Sequence, residues 1–191
     1  STGLIIGMEA GTVTFVASIS GDTDYNSSST SRTITINRGS QALTITSPLS
    51  TFVGGVLIAS ASSTASASSG GTISYTLLGG SGSATIDSNS GLLRGYQAGT
   101  LLLLASISGD SNYNSAFSTQ VITIGKGTPT LLLSVSSTLM SVGDSMPVSV
   151  TNQAPAGGIT HTGSISYQII SGGGNATIDQ QGMITALNSG I

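Results

Sequence analysis

Apolar and polar residues alternate with a period of two along most of this chain, and the clearest run is the stretch 99–108. There Leu101, Leu103, Ala105 and Ile107 make one row, while Leu102, Leu104 and Ser106 make the other. Such alternation, bounded by Gly, Ser, Asn and Asp, is the pattern of half-buried β-strands. It predicts strands near 42–46, 56–62, 72–78, 83–87, 91–95, 99–108 and 117–125. No stretch carries helical periodicity. Seven short strands in about 90 residues, joined by turns, predict an all-β fold of the sandwich type.

The pattern also repeats. Gly11-TVTFVASISGDTDYNS matches Gly99-TLLLLASISGDSNYNS at an offset of 88, and Ile73-SYTLLGGSGSATID matches Ile165-SYQIISGGGNATID at an offset of 92. Gly3-LIIGMEAG, Gly91-LLRGYQAG and Gly182-MITALNSG are three versions of one segment. A fixed period of this size marks a tandem array. The predicted organisation is the C-terminal strands of one unit in 1–37, a complete unit in 38–126 and the N-terminal part of a further unit in 127–191, with short linkers at Arg38-GS and Lys126-GT. Aligned copies predict a shared core. Val13, Phe15, Ala17 and Ile19 correspond to Leu101, Leu103, Ala105 and Ile107; Leu57, Ala59 and Ala61 to Met146, Val148 and Val150; Ile73, Tyr75 and Leu77 to Ile165, Tyr167 and Ile169. The two partial units would leave apolar strand edges open, so further repeats are expected on both sides of these residues.

Composition narrows the function. Only 6% of residues are charged against the quarter or so of an average domain, about a third are Ser or Thr, and 27 are Gly. A hydrophobic content of 38% still supplies a core, which excludes a disordered chain. A net charge of −3 with no basic cluster argues against nucleic acid as a partner. The longest apolar runs, such as Leu101 to Ala105, are too short to span a bilayer, so no membrane insertion is expected within this segment. Cysteine is absent, which removes disulfides and thiolate metal sites.

Ala84-TIDSNSGLLRGYQAGT and Ala176-TIDQQGMITALNSG, with Ser141-VGDSMPVSVT upstream, resemble the bacterial group-2 immunoglobulin-like domains of surface proteins. The Gly109-DSNYN turn and its variant Gly21-DTDYN are similar to repeats of long bacterial adhesins. The resemblance covers essentially the whole chain and implies tandem immunoglobulin-like seven-stranded β-sandwiches. One departure is the tyrosine, Tyr75 or Tyr167, where immunoglobulin domains often place tryptophan. It further implies an extracellular, cell-surface protein: a non-enzymatic structural segment of a fibre, stalk or adhesin, whose partners are neighbouring repeats in head-to-tail assembly. Two alternatives stand beside it. One is an adhesive module recognising a glycan or protein; the other is a filament subunit polymerised by strand exchange.

Candidate chemistry is sparse. The one histidine, His161, lies in the loop Gly158-ITHTG, with no nucleophile or paired acid in its pattern. No cofactor is implied, and no enzymatic activity is expected. Asp22, Asp24 and Asn26, and again Asp110, Asn112 and Asn114, have the D-x-[DN]-x-[DN] spacing that opens calcium loops. Position twelve is nevertheless Thr33 or Val121 instead of an acid. The preferred reading is an Asx turn with Tyr25 or Tyr113 packing back on the sheet. Asp87 and Asp179 are read likewise as turn caps. Gly79-GSGS and Ser171-GGGN lack the lysine and helix of a phosphate cradle and read as loops. Asn26 and Asn175 begin N-glycosylation sequons. Val16, Leu102 and Leu104 stand on the outward strand face, where they are candidates for a lateral contact with a neighbouring chain.

Overall fold

In the computed structural model, the described residues are 3–65, 71–154, 161–170 and 172–188. They form fifteen β-strands and no helix, so the all-β expectation is met. The strands fall into three successive groups.

The first group is a single hairpin of β1 (Gly11–Ile19) and β2 (Ser28–Ile36), paired in uninterrupted antiparallel register. The second group is the core of the molecule. Its strands are β3 (Leu43–Ile45), β4 (Ser50–Phe52), β5 (Val56–Ile58), β6 (Ala61–Ser63), β7 (Ile73–Gly80), β8 (Ser83–Ile86), β9 (Leu92–Gln97), β10 (Gly99–Ile107) and β11 (Ala116–Gly125). One layer is the sheet β4-β11-β10-β7; the other consists of β5-β9-β8 and the pair β3-β6. The alternating rows meet between these layers. Leu43, Leu57 and Leu93 come from one side and Tyr75, Leu103, Ala105, Ile107 and Ile122 from the other, as one buried cluster. Leu93, Leu103 and Ile122 are completely buried.

The second group therefore has nine strands where seven were expected in 38–126. The expected strand 56–62 breaks at Ala59-Ser60 because its two halves join different ladders: β5 pairs with β9, and β6 pairs with β3. The three-residue β4, set between Pro48 and Gly54-Gly55, escaped the pattern and pairs parallel with β11. Ile73, expected in the core, is half-buried because it opens β7, the edge strand of its sheet.

The third group contains β12 (Thr130–Val135), β13 (Ser145–Gln153), β14 (Asn175–Ile178) and β15 (Met183–Asn188) in the order β12-β13-β15-β14. Its registers are those of the second group shifted along the chain. Leu43↔Ser63 becomes Leu131↔Asn152, and Leu57↔Leu93 becomes Met146↔Ile184. The turn before the last strand is also shared. Gly91 (φ 71°) and Gly182 (φ 82°) both adopt the left-handed backbone that glycine tolerates, and a side chain on Gly91 would collide with the carbonyl oxygen of Ala59.

The expectation of equal burial in all copies is corrected at two places. Phe15 is 40% and Ile19 68% exposed, whereas their counterparts Leu103 and Ile107 are 0% and 3% exposed. The hairpin β1–β2 has no sheet facing it among the described residues, so the inward row of β1 meets solvent, while Ile34 and Ile36 of β2 are half-buried, Ile36 against Gly7. Residues 165–169, expected to form a strand like β7, form none, and Ile165 and Ile169 are exposed. The reason is pairing: β7 is held by β10, and no described strand of the third group corresponds to β10.

Candidate functional site

Each calcium-like loop is occupied by its own backbone. Asp110 Oδ1 accepts the N–H groups of Asn112 and Tyr113, both at 2.7 Å, and Asp22 Oδ1 accepts those of Asp24 and Tyr25, both at 2.8 Å. These are Asx turns, formed because a short carboxylate can reach the amides two and three residues on. The two amides hold the Asp22 carboxyl below the usual carboxylate range. Asp24, Asn26 and Asn114 are exposed. Among the described residues, no three His, Cys, Asp or Glu side chains gather where they could hold a metal ion.

The second of these turns makes a junction that its spacing did not foretell. Asn112 Oδ1 accepts the backbone N–H of Ala10 at 2.9 Å, across 102 residues of sequence. Gly39 donates to Asn112 O at 2.7 Å and accepts from Asn114 N–H at 3.0 Å. The Tyr113 ring lies over Gly39, so close that a β-carbon there would stand 3.2 Å from it. Gln41 completes the clasp: its Nε2 donates to Asn114 O at 2.7 Å, and its Oε1 accepts from Ser63 Oγ at 2.9 Å. The linker after the hairpin is thus bound into the second group. The ring expected to pack back on its own sheet lies instead over the linker glycine Gly39 at Tyr113, and its counterpart Tyr25 is 77% exposed, with no described residue placed over it as Gly39 is over Tyr113.

The remaining candidates are dispersed. Asp87 caps its turn by accepting from the Ser90 N–H and hydroxyl and the Asn89 N–H, which lower its pKa. Asp179 accepts from the N–H groups of Gln181 and Met183. Asn26 and Asn175 are both exposed. Of the expected glycine loop, Gly79 and Gly80 end β7 and Ser83 opens β8, so that Ser81 and Gly82 alone link the two layers; residue 171 of the other glycine loop lies outside the described residues. Val16 is 64% exposed on the free hairpin, while Leu102 and Leu104 are half-buried on the outer face of β10, next to Leu78 and Val121.

His161 faces a cleft of about 410 Å³ between the second and third groups, lined also by Tyr96, Gln97, Lys126 and Pro129. Its Nδ1 is engaged by Asn152 Nδ2 at 3.1 Å and by Gly163 N–H at 3.2 Å. These partners are an amide side chain and a backbone amide, neither of which acts as a nucleophile or an orienting acid. Nothing in the residue pattern signals this cleft, because its walls come from β9, a linker and a loop. No protein-family model, characterised protein or solved structure matches the chain.

Proposed function

We propose that this chain is a non-enzymatic structural segment of an extracellular fibre, stalk or adhesin, built from tandem immunoglobulin-like repeats of the bacterial surface-protein type. The observation that carries the reading is the clasped junction of Ala10, Gly39 and Gln41 with the Asp110–Asn114 turn. A linker that hydrogen-bonds to the body of the next unit fixes the angle between units, which a spacer needs and a freely jointed tether lacks. The surface supports it too: with 6% charged residues, hydration rests on hydroxyls and backbone.

Small-angle scattering on the intact chain tests this. A rod gives a radius of gyration well above the roughly 16 Å of a compact chain of this length. Replacing Asn112 and Tyr113 together by alanine should broaden the distance distribution without lowering the melting temperature of the core by more than a few degrees. A wild-type radius near the compact value, or no response to the double substitution, would sink the rod.

A second reading, an adhesive module for a glycan or protein, is favoured by the cleft that brings Tyr96, Lys126 and His161 together. An aromatic ring beside hydrogen-bonding groups is suited to a sugar face.

A further inference from the structure

The scarce reactive side chains of this chain converge on one place. Lys126 is its single lysine and His161 its single histidine. Both line the cleft of about 410 Å³ between the second and third groups, together with Tyr96. Strand registers bring them there. Gly99↔Ile124 pairs the start of β10 with the end of β11, so the chain just before β10, at Gln97 and Ala98, comes beside Lys126, the residue that follows β11. Thr130↔Gln153 pairs the start of β12 with the end of β13, so Pro129 and Ala154 stand together on the third-group wall.

The histidine is held in position. Asn152 Nδ2 reaches both His161 Nδ1 at 3.1 Å and His161 O at 3.3 Å, and Gly163 N–H donates to the same Nδ1 at 3.2 Å. A β-carbon on Gly163 would collide with the ring, so the ring also packs on that glycine. With two donors at Nδ1, the ring hydrogen belongs on Nε2, and among the described residues no acceptor takes it. Lys126 likewise has no ion-pair partner among the described residues. No Asp or Glu stands among the described residues of the lining, so in a chain of net charge −3 the cleft is locally positive.

We propose that this cleft binds a saccharide bearing a carboxylate, such as a terminal uronic acid residue of a glycan. This names the ligand class for the adhesive-module reading above and rests on it. The Lys126 ammonium and the His161 Nε2–H are the donors for the carboxylate, and the bond from the ammonium is charge-assisted. Tyr96 and Pro129 offer apolar surface to the C–H face of the sugar, while Gln97 and Thr162 offer hydrogen-bonding groups to its hydroxyls. A volume of about 410 Å³ stands near the low end of the ~300–1,000 Å³ range of ligand sites, which suits a terminal sugar better than a long chain. A peptide carboxylate would satisfy Lys126 and leave Tyr96, Gln97 and Thr162 unused.

A single lysine and a single histidine make the test direct, because each gives one set of side-chain resonances in an NMR spectrum of the intact chain. Titration with methyl glucuronide should shift the Lys126 ε-methylene and His161 ring signals together and to saturation. Methyl glucoside, the same ring without the carboxylate, should bind about tenfold more weakly. Lys126→Gln should remove most of that preference without lowering the melting temperature, and Tyr96→Ala should weaken both glycosides alike. Equal binding of the two glycosides by the wild type, or a preference that Lys126→Gln retains, would overturn the proposal and leave the adhesive module standing. Binding of N-acetylglutamate α-amide as tight as that of the glucuronide would overturn the sugar and point to an acidic protein partner. No shift with any of these compounds would overturn the adhesive reading as well, while the rod stays.

Discussion

Single carboxylates set the shape of the turns here. Asp22, Asp87, Asp110 and Asp179 each accept at least two donors from the next four residues, so one short side chain closes each loop without help from outside. Because Asp110 is already satisfied by amides, calcium is not needed to order its turn. Millimolar calcium should leave the melting temperature unchanged, since an ion bound only by the folded state would raise it by mass action. Asp87 predicts an acid response. Its donors, led by the Ser90 N–H, hold the folded-state pKa below the unfolded value of about 3.9. Its contribution is therefore present above the unfolded value and is lost as pH falls through the lower folded value. Asp87→Asn keeps the acceptor and removes the charge, so its melting temperature should fall less steeply below about pH 4 than that of the wild type; parallel curves would refute the assignment. These caps were legible in the sequence, because an Asx turn is made by neighbours. The bond from Ala10 to Asn112 was not, because it depends on where a distant linker is brought.

At the scale of strands, burial depends on what faces a row as much as on the row itself. Leu103 and Phe15 occupy corresponding positions, yet one is completely enclosed and the other is 40% exposed. Leu103→Ala should therefore cost about 2–5 kcal/mol in denaturant unfolding of the second group. Phe15→Ala, measured on dilute chain, should change it by about 0.5 kcal/mol or less. Comparable losses would mean that the hairpin is covered in solution. The same dependence explains how much of the fold could be read beforehand. The long alternating strands β7, β10 and β11 were legible because both flanks of their pattern are regular. The short β4 and the break between β5 and β6 were not, since three residues carry too little periodicity and a change of sheet leaves no mark on it. Residues 165–169 carry the alternation of β7 and still form no strand, because a ladder is a property of two segments.

For the molecule as a whole, internal similarity was legible in the sequence at offsets of 88 to 92, and the strand pairings of the first and third groups follow those of the second at shifts of 88 to 91. The route of the chain through the second group was hidden. It enters beside Tyr113, runs through β3 into β4, and leaves from the end of β11. The parallel pairing of β4 with β11 then has a further consequence. Tension applied through the two linkers draws the start of β4 and the end of β11 apart along their common axis. The bonds around Ser50–Phe52, including Thr123 N–H to Leu49 O and Val53 N–H to Gly125 O, lie across that direction and take the strain together. An antiparallel pair at the same place would be peeled open one bond at a time from its end. The three-residue strand that the pattern did not announce thus has the geometry of a shear clamp, loaded after the Gly39 clasp and the β3–β6 pair that precede it along the chain.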